Sequence, residues 1–254
     1  MKKLSMALMV IIATAVNTYA QVSLNVEPIS SKADFIKNAD YQSIRIDAPN
    51  RSEIDVEDDL ADSEGRPPRY SVHIPIGVST QNGGDWMELK GGARVWRLRL
   101  QSQGALATTL LFNEFSIPEG GLLHVYNDDR SQTIGAFTSQ NNEDGGTYAT
   151  QIVFGDACTI EYYEPASVRG QGLIDISDFG YCYRYVYGPD EVNLRGGSDP
   201  CQVDVNCSPE GDNWQDEKRG VVRVGLVFNG GGSWCTGSMV NNTSLDCTPY
   251  ILTA

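Results

Sequence analysis

The feature that most constrains the fold is the run Val95-Trp96-Arg97-Leu98-Arg99-Leu100, which alternates apolar and charged side chains at period two. Successive side chains point to opposite faces of a β-strand, whereas a helix repeats its apolar face about every three to four residues. The run is therefore predicted to be a strand with one buried and one wet face. Leu122-Leu123-His124-Val125-Tyr126 reads as a second strand, closed by the turn-like Asn127-Asp128-Asp129. Further strands are predicted at residues 133–138, 150–154 and 159–163. Between them lie Pro118-Glu119-Gly120-Gly121, residues 141–146 and Gly155-Asp156. Short strands punctuated this way imply an all-β fold, a β-sandwich or jelly roll, from about residue 66 onward.

Both flanks of that region read differently. The preceding stretch carries Glu53, Asp55, Glu57, Asp58, Asp59, Asp62 and Glu64. Few large apolar groups and strong self-repulsion predict a loosely ordered acidic leader over residues 21–65. At its start, Lys2 and Lys3 precede an apolar run over residues 4–16, and Thr18-Tyr19-Ala20 places small residues before Gln21. This is the pattern of a cleaved secretory signal peptide over residues 1–20. The run falls short of the roughly 20 residues that a stable membrane span needs. Export follows as an expectation, to the extracellular side, the periplasm or the cell surface.

Residues 188–200 turn loop-like again, with Gly188-Pro189-Asp190 and then Arg195-Gly196-Gly197-Ser198-Asp199-Pro200. The Arg195-Gly196 bond is the candidate processing site, a basic residue in a loop tip. A new β pattern follows: strands at residues 221–228 and 234–240 around a Gly230-Gly231-Gly232 turn, then the apolar Tyr250-Ile251-Leu252-Thr253-Ala254.

The chain of 254 residues has a formal net charge of −14. It offers no basic stripe for a phosphate backbone, so nucleic acid is excluded as a partner. In an exported chain, Cys158, Cys182, Cys201, Cys207, Cys235 and Cys247 read first as disulfide candidates. There is no CxxC pair, and both histidines, His73 and His124, lie far upstream of the cysteine-rich end. Neither a metal site nor a cofactor is expected. A lone histidine in a strand is more often a packed residue than a general base. No Gly-x-Ser-x-Gly elbow accompanies them, so the residues present contain no catalytic triad. Asn50-Arg51-Ser52, Asn206-Cys207-Ser208 and Asn241-Asn242-Thr243 match a glycosylation acceptor too short to assign a function.

Two passages carry a resemblance. Cys201-Gln202-Val203-Asp204-Val205-Asn206-Cys207 is followed by Lys218-Arg219-Gly220-Val221-Val222-Arg223. Then come Cys235-Thr236-Gly237-Ser238-Met239-Val240-Asn241-Asn242-Thr243 and the closing Tyr250-Ile251-Leu252-Thr253-Ala254. Together they resemble the opening of the mature domain of lysyl-endopeptidase-like proteases, secreted bacterial members of the trypsin-like class. Upstream, Gly135-Ala136-Phe137-Thr138, Gly155-Asp156 and Ile160-Glu161-Tyr162-Tyr163-Glu164-Pro165 are similar to the propeptide of such precursors.

The resemblance implies a propeptide over residues 66–195 and the start of a trypsin-like double β-barrel over residues 196–254. The catalytic histidine is then expected just after Ala254. It further implies that the Cys-Thr-Gly-Ser strand and the Leu-Thr-Ala strand sit side by side. Cys235 would pair with the cysteine after that histidine, and Cys201 and Cys207 would bridge to later parts of the barrel. Cys247 stays open, and a Cys158–Cys182 bridge is expected within the propeptide. Protein or peptide substrates are implied for the full-length enzyme, and its own peptidase domain is the implied partner of the propeptide. The family prefers lysine before the cut bond, but the residues that would shape such a pocket are absent from this chain. The competing expectation is a non-enzymatic binding module for carbohydrate or a surface partner, with Trp86, Trp96 and Tyr126 as the stacking surface.

Overall fold

The computed structural model describes residues 23–32, 36, 39–143, 145–184, 186, 207–228, 230–244, 246, 248 and 250–253. Among these residues the protein is all-β in its architecture, with two sheets facing one apolar core. The six-stranded sheet is ordered β1 (Ser43–Arg45), β4 (Arg94–Gln101), β10 (Ala157–Glu164), β6 (Leu122–Tyr126) and β7 (Thr133–Phe137), and β3 (Asp85–Glu88) also pairs with β4. The second sheet has eight strands. Its path is β12 (Val221–Phe228), β13 (Gly231–Val240), β2 (Arg69–Ser79), β11 (Leu173–Cys182), β5 (Ala107–Ser116) and β8 (Tyr148–Ala149). Off that path, β14 (Tyr250–Thr253) pairs with β13 and β9 (Val153–Phe154) with β5.

Trp96, Leu98 and Leu100 of β4 and Ile160 and Tyr162 of β10 form one cluster with Phe112, Phe115, Ile174, Ile176 and Phe179 of the facing sheet. Each such fully buried side chain contributes about 1.5–3 kcal/mol, so the sandwich has a core of its own. No closed barrel forms among the described residues; β12, β13 and β14 instead continue the second sheet.

The face of β4 expected to be wet is covered. Arg97 is buried, with its guanidinium 4.1 Å over the Tyr41 ring and Nη2 donating to Ala39 O at 3.0 Å. The cover is the segment that precedes β1. Leu24 and Ala136 exchange backbone hydrogen bonds at 3.0 Å, extending the β7 edge. From there the segment crosses the sheet, and Ser30 N donates to Glu161 Oε1 at 3.0 Å.

The acidic stretch also departs from expectation. It holds a helix, α1 (Arg51–Ser63), and residues 43–45 before it pair in parallel with β4. Asn50 caps α1: its side chain accepts from Ser52 N and donates through Nδ2 to Glu53 Oε1 at 2.8 Å. Repulsion among the carboxylates is offset by packing of Ile54 into the core and by partners for Asp58. The described part of the leader, residues 23–32, 36 and 39–65, is therefore an ordered layer of the sandwich, whereas residues 1–22 lie outside the described residues.

Candidate functional site

The junction between the sandwich and the C-terminal strands is built on β2. One edge of that strand pairs with β11; the other receives β13, with Gly231 opposite Val72, Gly232 opposite Ser71 and Ser233 opposite Arg69. His73 N extends the ladder by donating to Gly230 O at 3.3 Å. Gly230 has φ 86° and makes the turn from β12, as the sequence suggested.

Gly231 and Gly232 do something else. A Cβ on Gly231 would lie 2.7 Å from Ser71 O, and one on Gly232 would lie 2.8 Å from Ser71 Oγ and 2.9 Å from the Tyr70 hydroxyl. Neither glycine has a positive φ, so it is space and not backbone conformation that demands them. Beyond them the Trp234 indole stacks on Tyr70 at 4.0 Å and 14°, and the Arg223 guanidinium lies 3.8 Å over the Trp234 ring. Burial pushes the Tyr70 hydroxyl up to about 12, so the stack is neutral apart from the guanidinium.

Helix α1 closes one side of the junction. A cleft of about 560 Å³ runs between it and the hairpin, lined by Leu60, Arg66, Arg69, Leu226 and Phe228. At its base Asp58 accepts from Tyr183 Oη at 2.7 Å and from Arg69 Nε at 3.0 Å, with Arg184 Nε at 3.3 Å. Burial and then the bond to Asp58 raise Tyr183 to about 12, which keeps it a donor. The strand start and the helix are thus locked as one surface beside β13.

The residues singled out from sequence are distributed unevenly. Arg195, Gly196, Cys201 and Cys247 lie outside the described residues. The expected Cys158–Cys182 bridge does not form. Cys158 belongs to the main core in β10, whereas Cys182, in β11, packs in a separate cluster with Tyr70 and Ala107. Desolvation raises both thiols, Cys158 to about 12, so neither is a thiolate at neutral pH. Cys207 is exposed, and Cys235 Sγ lies 3.4 Å from Thr253 Oγ1 between β13 and β14. Those two strands are neighbours, with Gly237 opposite Thr253 and Ser238 opposite Leu252, as the resemblance implies.

Neither histidine heads a catalytic relay among the described residues. His124 is buried, its Nε2 2.8 Å from Val26 O, and burial lowers its pKa. His73, also lowered by burial, borders a cavity of about 800 Å³ with Ser177 and Asp178, but Ser177 Oγ donates to Leu111 O at 3.2 Å. The aromatic residues of the binding-module reading are packed. Trp96 and Tyr126 are buried, and Arg94 lies 3.6 Å over the Trp86 ring.

Sequence reasoning missed Asp58 and the role of the glycine pair. The capping pattern Asn50-x-x-Glu53 was the available signal for the helix that carries Asp58. The glycines looked like an extended turn, and nothing local distinguishes a turn glycine from one pressed against another strand.

No helix among the described residues is long and apolar enough to cross a membrane. A family model for the lysyl endopeptidase C-terminal domain matches residues 195–254, the stretch that contributes β12, β13 and β14 to this junction. That part of the chain is similar to the lysyl endopeptidase C-terminal domain.

Proposed function

We propose that this chain is the leader, propeptide and opening strands of the peptidase domain of a secreted serine endopeptidase precursor. The full-length product hydrolyses peptide bonds by Ser-His-Asp acyl transfer, and the sandwich serves as its folding aid and mask, with cleavage near Arg195 as the processing step. The observation that carries this reading is the seating of β13 on the free edge of β2, within the stretch matched by the peptidase family. A nascent barrel segment with unpaired edges is prone to wrong pairings, and a preformed strand from an independent core supplies the correct neighbour. No Ser-His-Asp constellation is assembled among the described residues, and on this reading the chain by itself is expected to be inactive.

Reading the encoding DNA past the codon for Ala254 tests the proposal: a His-Cys continuation is expected, and a stop codon there overturns it. In parallel, the purified chain is expected not to hydrolyse a chromogenic lysyl or arginyl substrate. Turnover would place the catalytic groups within residues 1–254 and sink the assignment.

A further inference from the structure

We infer that the sandwich and the β12–β14 unit form a separable pair that stays bound after the connecting segment 187–206 is cut, with Gly231 and Gly232 as the recognition element. The inference rests on the precursor reading for its biological setting, but the contact itself lies within this chain. Strand addition to an exposed edge supplies backbone hydrogen bonds that do not depend on side-chain identity. Selectivity therefore has to come from what fits against the strand. At this edge, the fit is set by the closeness of β13 to Ser71 and Tyr70, which only a residue without a Cβ allows at both positions 231 and 232. The Tyr70–Trp234–Arg223 stack adjoins the glycines and adds an aromatic anchor. The partner that fits β2 is thus an extended segment with two adjacent glycines followed, two positions after the second, by a large aromatic residue.

β2 and β14 also share one edge of β13: β2 takes Gly231 to Ser233, and β14 takes Gly237 to Val240. The sandwich strand occupies the stretch of that edge toward which β14 runs. A retained sandwich therefore keeps that part of the β13 edge closed to any other strand, and release opens it.

The test uses the whole chain with a site for a sequence-specific protease inserted between Ser198 and Asp199, cut under reducing conditions so that no disulfide joins the pieces. On size exclusion at micromolar concentration the two pieces of the parent are expected to co-elute. Gly231→Ala and Gly232→Ala each press a methyl group into β2, and at least about tenfold weaker association is expected after cutting. The melting of the uncut sandwich is expected to change little, since the main core cluster lies away from the contact and only the small cluster around Tyr70 is touched. Trp234→Ala, which removes the anchor without crowding the strand, is expected to weaken association as well and covers the case in which an alanine variant does not fold. Separation of the parent pieces, or glycine variants that associate as tightly as the parent, overturns the inference. Either result leaves the precursor reading to be decided by the His-Cys continuation, so the two failures are distinguishable.

Discussion

Asp58 shows how a single buried carboxylate converts an acidic run into structure. Its neighbours in sequence are nearly all exposed, while Asp58 faces Tyr183, Arg69 and Arg184 across the junction. Removing one partner of a buried, hydrogen-bonded charge cluster leaves the other charges without compensation. Asp58→Ala is therefore expected to destabilise the protein by about 3–5 kcal/mol, read from urea unfolding midpoints. Glu57→Ala, which removes an exposed partner of the same Arg69, is expected to cost less than about 1 kcal/mol. Equal effects from the two would show that burial does not set the value of the contact. The sequence holds no mark that separates Asp58 from Asp59 or Asp55. What selects it is helical phase: Asp58 follows Ile54 by one turn, and Ile54 is the residue of α1 in the core.

At the scale of elements, alternation predicted β4, β6, β7, β10 and β12 close to their observed positions. It missed β11, where Asp175, Ser177, Asp178 and Gly180 dilute the apolar pattern and the register shifts between Ile176 and Asp178. It also misjudged the outer face of the six-stranded sheet, because the segment that covers Arg97, Glu161 and His124 comes from residues far away in sequence. That cover has a pH signature. Burial of His124 opposes its protonation and Lys32 adds to that, whereas the hydrogen bond to the Val26 carbonyl and the charge of Glu161 favour it; burial prevails and lowers the pKa below 6.5. The folded state therefore binds fewer protons than the unfolded state as pH falls through 6.5. The contribution of neutral His124 is complete above that pH and is lost progressively toward the folded value. His73 shifts in the same direction. A lower urea midpoint is expected at about pH 5.5 than at about pH 7.5, and His124→Gln is expected to narrow the gap while His73 keeps part of it open. A gap unchanged by His124→Gln would remove this histidine as a contributor.

Across the whole molecule, the two halves of the eight-stranded sheet differ in how well they are covered. The sandwich side is backed by the six-stranded sheet and by α1, whereas the β12–β14 side presents Val221, Val227, Phe228, Met239, Ile251 and Leu252 in exposed positions. Leu252 is 66% exposed and Ile251 is 54% exposed, on a short strand whose outer edge is not paired among the described residues. Exposed apolar side chains next to an open edge favour association. The formal charge of −14 opposes it, but at roughly 0.15 M salt the screening length is about 8 Å, and apolar contact acts at shorter range than that. Burial should therefore prevail over repulsion at physiological salt and yield to it at low salt. Sedimentation velocity on the chain is expected to show association that grows with concentration and with salt. Ile251→Glu combined with Leu252→Lys places charge on both faces of β14 and is expected to return a monomer without altering the melting of the sandwich, whose core lies elsewhere. A monomer at every concentration and salt would mean that the apolar face of this unit is too dispersed to drive contact, and that β2 alone suffices to hold it in solution.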